Sequence, residues 1–247
     1  MPATPGIILT DYRTGGSFLS LCLDSHPLIF CQRGEPLARR SGLYRYFPSL
    51  DPEQVLQYIF RTEFCELAMC KIIYRQAGPR VWKYLARKKG IKVIHLVRRN
   101  EFRAACSFLF QKAVLQGKAE HPHPLHHFNR KPKQPKPIQL DPQAILDLCR
   151  DRIKARKAVY AQIDKHGLST KMVYYEHMCG GEEIEALPDI LNEELCQFLD
   201  VPYYQMVAPF LHRVNAQFPL SELIANWRQV KALIQETEFG YYLEGES

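Results

Sequence analysis

The stretch from Gly6 to Pro27, GIILTDYRTGGSFLSLCLDSHP, constrains the fold more than any other part of the chain. Gly6 to Leu9 is a short apolar run of strand length. Phe18, Leu19, Leu21, Cys22 and Leu23 predict an apolar helix that stops at His26-Pro27, because proline disfavours helix in the residue before it. Between strand and helix lie Arg13 and a Gly15-Gly16 turn. A strand that passes into a helix through glycines makes an anion cradle in α/β proteins. Glycine lets the backbone approach a ligand, the helix start aims N–H groups at it, and the macrodipole favours negative charge there. The opening therefore predicts a bound phosphate or sulfate.

The rest of the chain keeps alternating. Leu28 to Cys31 reads as a second strand, leading into a loop with Arg33, Gly34 and Glu35. Asp51-Pro52 is a cap followed by an N1 proline and starts a helix through Phe60. Cys65 to Tyr74 is ambiguous between helix and strand, and helical spacing returns from Val81 to Ala86. Lys92 to Val97 is a strand ending in Arg98-Arg99, and a helix follows from Phe102 to Leu115. Asp141-Pro142 starts another helix, with Ile145, Cys149, Ile153 and Tyr160 as its apolar stripe to about Gly167. Lys171 to Tyr175 is a further strand, a helical region runs from Glu182 with a break near Pro188, and Leu220 to Leu233 is a last helix. Strands alternating with helices predict an α/β fold with a central, mainly parallel sheet flanked by helices, as a single domain over residues 1–247.

Gly117 to Leu140 departs from this pattern, being rich in Pro, His and Lys and poor in apolar residues. A loop of that length reads as a lid or ligand-binding segment, with Lys118, Arg130, Lys131 and Lys133 supplying positive potential, or as a solvated loop. His121, His123, His126 and His127 lie in it without the Cys or Asp partners of a zinc site, so no metal is expected there. Arg39 to Phe47 is a second segment of mixed charge and aromatics expected to shape a ligand site. Arg150, Arg152, Lys154, Arg156 and Lys157 read as an exposed basic helix face.

A net charge of +7 favours an anionic ligand. No apolar stretch reaches the roughly 20 residues of a membrane span, and the N-terminus lacks the pattern of a secretory signal. The eight cysteines form no CxxC pair and lie mostly in apolar segments, so buried thiols in a reducing cytoplasm are expected. The glycine turn is neither a Walker A loop, which needs a lysine followed by a hydroxyl, nor G-x-G-x-x-G. An ATPase, a kinase or a dinucleotide enzyme is thereby disfavoured.

Four landmarks, in order, resemble the sulfotransferases that use 3′-phosphoadenosine 5′-phosphosulfate (PAPS). Tyr12 to Phe18, YRTGGSF, is similar to their 5′-phosphosulfate loop. HLVRRNEFRAACSF resembles their 3′-phosphate motif, an arginine at a strand end with a serine eight residues on, which selects Arg99 and Ser107. MVYYEHM with the later CQFLDVP resembles their YED strand and FLG helix end, and PLSELIANW the closing helix of bacterial members. Gly16 stands where a Ser or Thr is usual, His177 replaces the Asp of YED, and the cytosolic branch's RKGxxG segment is missing. These departures point to the bacterial carbohydrate or small-molecule branch.

The resemblance implies a P-loop-like three-layer fold and in-line transfer of a sulfuryl group from PAPS to a hydroxyl or amine of a carbohydrate or small molecule. It implies that Arg13, Thr14, Gly15, Gly16, Ser17 and Phe18 hold the 5′-phosphosulfate, with Arg13 stabilising the departing phosphate. Arg99 and Ser107 would grip the 3′-phosphate, Glu35 in the loop CQRGEPL would be the general base, and the scheme needs no metal. Arg98 reads as a structural or steering charge. Two positions stay open: Glu35 also suits a helix start near Pro36, and Tyr175 suits either the adenine or simple packing. The competing reading is a basic protein that binds nucleic acid or another polyanion. It lacks any helix-turn-helix, RNP-like or zinc-finger pattern.

Overall fold

The computed structural model describes residues 3–38, 43, 46, 49–117, 136–178, 186–208 and 218–244. Among the described residues five strands, β1 (Thr4–Thr10), β2 (Ile29–Gln32), β3 (Leu67–Ile73), β4 (Lys92–Val97) and β5 (Thr170–Tyr174), are accompanied by eight α-helices. These are α1 (Gly16–Asp24), α2 (Pro52–Phe60), α3 (Pro79–Arg87), α4 (Glu101–Leu115), α5 (Pro142–His166), α6 (Asp189–Leu199), α7 (Leu220–Leu223) and α8 (Trp227–Gln235). The chain divides into two compact units, Met1–Arg99 with Ala155–Pro209, and Asn100–Lys154 with Phe210–Ser247. The predicted loop from 117 to 140, with its histidines, lies outside the described residues from 118 to 135. So do most of 39–47 and the 179–185 stretch that includes Glu182.

The first unit holds the sheet, parallel throughout, in the order β2-β3-β1-β4-β5. β1 is central, and Ile7, Ile8 and Leu9 are fully buried because both faces are covered. The same burial resolves the ambiguous Cys65–Tyr74 run. β3 pairs on both edges and all seven of its residues are buried, so its sequence carries no alternation. Ile7, Leu9 and Ile72 share a core with Val55 and Ile59 of α2, Val81 and Leu85 of α3, and Val159 and Ile163 of α5. Asp51 and Gln54 close a reciprocal capping box at the start of α2, as its Asp-Pro signal predicts.

From β1 the chain moves outward to β2, returns through β3, and crosses to β4 on the opposite side of β1. Ligands of open α/β sheets bind where the strand order reverses in this way, beyond the carboxyl ends. The register brings Thr10 level with Ile73 and with Leu96, so three strands end together. The loop after β1, the 3₁₀ turn Tyr74–Gln76 after β3, and Arg98-Arg99 after β4 thus share one edge of the sheet. That 3₁₀ turn is anchored by Tyr74, whose hydroxyl lies 2.7 Å from Nε2 of the buried His95 on β4. Burial, with repulsion from Arg156, pushes the His95 imidazole down to about 4, so it stays neutral.

The second unit packs Phe102, Cys106, Ile145, Cys149, Leu220, Ile224, Val230 and Phe239 into its own core. The continuous helix expected from Leu220 to Leu233 is instead two, α7 and α8. Asn226 explains the break: its side chain accepts the Leu140 N–H at 3.0 Å and donates to the Leu140 carbonyl at 2.8 Å. The Ile138 N–H donates to the Leu223 carbonyl at 3.0 Å and the Ile138 carbonyl accepts the Ala225 N–H at 2.9 Å, which takes these two groups out of the helical pattern. The basic face expected on α5 also needs correction. Arg152 is buried, its Nε 2.7 Å from Glu101, because a charge taken from water must find its counter-ion. Arg150 is exposed and paired with Glu238.

No described helix is long and apolar enough to cross a membrane. The seven described cysteines are free, and all but the half-buried Cys65 are buried. Burial pushes the thiols of Cys22, Cys31 and Cys149 up to about 12 and keeps them protonated.

Candidate functional site

The loop after β1 is built on two left-handed residues, Arg13 (φ 60°) and Gly15 (φ 85°). An arginine rarely adopts that backbone, so something must hold it. Arg98 does so, its Nη1 donating to the Arg13 carbonyl at 3.1 Å. Thr14 is buried, and its hydroxyl donates to the Asp11 carbonyl at 2.8 Å, so its side chain shapes the turn from inside. Thr10 likewise ties the end of β1 to the Leu96 carbonyl at 2.9 Å.

Both glycines are demanded by close approach. A Cβ on Gly15 would lie 2.6 Å from the Tyr175 ring and 2.9 Å from the Met178 methyl carbon. One on Gly16 would lie 2.9 Å from Cδ of Lys71. The carbonyl of Gly15 accepts the first helical bond, from Leu19 N–H at 3.1 Å. The N–H groups of Gly16, Ser17 and Phe18 are thus those a helix start leaves without an intrahelical acceptor. Gly15→Ala should cost about 1–2 kcal/mol for the left-handed backbone alone, plus displacement of Tyr175. Urea unfolding would read the loss, and wild-type stability would show that the turn relaxes freely.

Lys71, on β3, is the residue that no motif signalled. It is 6% exposed, and its Nζ donates to Ser17 Oγ at 3.2 Å. Nζ also lies 3.9 Å from Oε1 of Glu35. Burial holds the ammonium below its ordinary range, opposed by the nearby Glu35 and Cys31. The sequence could have flagged it only as a lone lysine inside an otherwise apolar strand, LAMCKII. Its position also accounts for Gly16, since its stem occupies the space a larger residue would need.

Glu35 follows Gly34, a left-handed glycine (φ 80°), and its carbonyl accepts the Ala38 N–H at 2.9 Å. Residues 35–38 form a turn, not a helix start, so the capping explanation of Glu35 lapses. Its Oε2 accepts from Gln76 Nε2 at 3.1 Å. Tyr12 lies nearby under the guanidinium of Arg75, 4.4 Å from its ring centroid. The Tyr12 phenol is pushed up by burial first, with Arg75 opposing and Glu35 reinforcing, so it remains a donor at neutral pH.

At the end of β4, Arg99 is exposed, and its backbone N–H donates to both carboxylate oxygens of Glu176, at 2.9 and 3.1 Å. Its guanidinium lies 3.9 Å above the Tyr174 ring. Arg98 lies 4.5 Å above the Tyr175 ring, so Tyr175 forms a wall between Gly15 and Arg98. Ser107 is half-buried on α4, in the second unit. The first unit therefore gathers Arg13, Thr14, Gly15, Gly16, Ser17, Phe18, Glu35, Arg99 and Tyr175 along the carboxyl edge of the sheet. Lys71 and Gln76 were not legible in the motifs, whereas Arg98, read as a structural or steering charge, holds the loop at the Arg13 carbonyl. Among the described residues, no group of three or more His, Cys, Asp or Glu side chains is placed to hold a metal.

No family model matches the sequence, and no curated protein matches it significantly. The fold, by contrast, has solved counterparts. A sulfotransferase from Alicyclobacillus acidocaldarius is similar with a TM-score of 0.53 and 13% identity, over 95% of this chain and 97% of that one. The sulfotransferase domain from the curacin biosynthetic pathway is similar with a TM-score of 0.50 and 15% identity, over 99% and 97% of the two chains. At such identities the likeness establishes a shared fold.

Proposed function

We propose that this chain is a PAPS-dependent sulfotransferase acting on a hydroxyl or amine of a carbohydrate or small molecule. The observation that carries the reading is one juxtaposition: a left-handed glycine loop at a helix start, a buried lysine against its serine, and a carboxylate on that lysine's other side. The shared fold supports it. The crowded glycines and the cationic edge fit a phosphosulfate, which has several anionic oxygens and no bulk that a close backbone would exclude.

PAPS supplies the sulfuryl group. Arg13, the first N–H groups of α1 and Lys71 hold the 5′ end, where negative charge grows as the phosphate leaves. Arg99, with five donors in a planar fork, recognises the 3′-phosphate. Glu35 accepts the acceptor's proton. A polyanion-binding protein would have no use for a carboxylate beside its anion loop.

Calorimetry tests this reading. 3′-Phosphoadenosine 5′-phosphate (PAP) should bind with micromolar affinity, about −8 kcal/mol, and Arg99→Ala should weaken it about tenfold to a hundredfold, as expected for loss of a charged hydrogen bond. Adenosine 5′-phosphate and ATP should bind far more weakly. Equal affinity for adenosine 5′-phosphate would overturn the donor assignment, and salt-sensitive binding to any DNA would favour the polyanion reading.

A further inference from the structure

We propose that Gln76 is a positioning residue for Glu35, which it holds through an amide locked at both ends. The proposal rests on the sulfotransferase reading, in which Glu35 is the base. Gln76 sits at the end of the 3₁₀ turn that follows β3. Its Oε1 lies 3.1 Å from the backbone nitrogen of Ile73, and its Nε2 lies 3.1 Å from Oε2 of Glu35. A backbone N–H can only donate, so the amide oxygen must face Ile73. The NH₂ group is then forced toward Glu35, where it can only donate. The carboxylate therefore has a fixed donor on Oε2, while Lys71 faces Oε1 from 3.9 Å.

The platform beneath this amide is rigid. Tyr74, two residues earlier, is pinned to the buried His95, and the Ala77 N–H closes the turn on the Tyr74 carbonyl at 3.1 Å. The carboxyl edge of the sheet thus controls the carboxylate from a neighbouring strand, 41 residues away in sequence. In the reaction, the acceptor oxygen forms the new S–O bond, the S–O bond to the 5′-phosphate breaks, and the acceptor proton passes to Glu35. A base displaced by about 1 Å can lose about a hundredfold in rate, so the clamp bears directly on turnover.

Gln76 has a second duty that must be separated from this one, since its oxygen also caps the turn at Ile73. Gln76→Glu makes the separation. A glutamate oxygen caps equally well, but the other oxygen cannot donate and repels Glu35. If capping were the whole role, the variant would be neutral. As a positioning residue, Gln76 predicts PAP affinity and KM for PAPS within a few-fold of wild type. Its kcat should fall about tenfold to a hundredfold, read as PAP formed from PAPS with water and a panel of sugars and amines as acceptors. A crystal structure of the variant should show the Glu35 carboxylate turned away from residue 76.

Turnover within twofold of wild type, or an unmoved carboxylate, would overturn the proposal. Should Gln76→Glu fold poorly, Gln76→Asn, too short to span both partners, should show the same loss in kcat. Wild-type protein that binds PAP but whose Gln76 variants lose nothing would sink this inference alone. Wild-type protein that neither binds PAP nor forms it from PAPS would sink the sulfotransferase reading and this inference with it.

Discussion

Glu35→Gln should lower sulfuryl transfer about a hundredfold to ten-thousandfold, the range expected for loss of a general base. Glutamine has nearly the shape of glutamate, and its carbonyl oxygen can still accept from Gln76. The turn from Glu35 to Ala38, closed by its own backbone bond, is independent of the side chain. Packing is therefore retained and only proton acceptance is lost. The measurement is kcat against PAP affinity in the same preparation. Affinity should remain within a few-fold of wild type, because Lys71 keeps its bond to Ser17. Full turnover in this variant would show that the proton leaves by another route.

Arg13→Ala should lower kcat about a hundredfold to a thousandfold, the usual effect of removing one donor aimed at growing charge. The backbone at Arg13 is left-handed, but its hold comes from Arg98 on the Arg13 carbonyl, which alanine retains. The turn should persist, and the loss should fall on the transition state. Arg13→Lys should recover little, since an ammonium lacks the planar fork that grips two phosphate oxygens. Steady-state kinetics with PAPS would check both variants. An Arg13→Ala enzyme impaired only in KM would mean that Arg13 binds the donor without assisting its departure.

These predictions draw on two kinds of information. The β1–turn–α1 unit was legible because its local signals stand side by side between Gly6 and Pro27: an apolar run, two glycines, and a helix ended by His26-Pro27. The start of α2 was legible for the same reason, since Asp51 caps only its own neighbours. The division between α7 and α8 was not, because the competing partner of Asn226 is Leu140, 86 residues away. The burial of Arg152 escaped notice similarly, its counter-ion Glu101 lying on another helix.

The sequence by itself determined the local structure: a glycine turn after the first strand, arginines at the end of the fourth, and a carboxylate after the second. It did so because glycine turns, caps and strand ends are set by near neighbours, whose preferences are written side by side. Only the tertiary structure decided what meets that loop. Lys71 reaches Ser17 across 54 residues, Arg98 reaches the Arg13 carbonyl across 85, and Gln76 reaches Glu35 across 41. The physical reason is the parallel sheet. Its neighbouring strands are joined by long crossovers, so residues that share its carboxyl edge are far apart in the chain and are brought together only when the strands take their register.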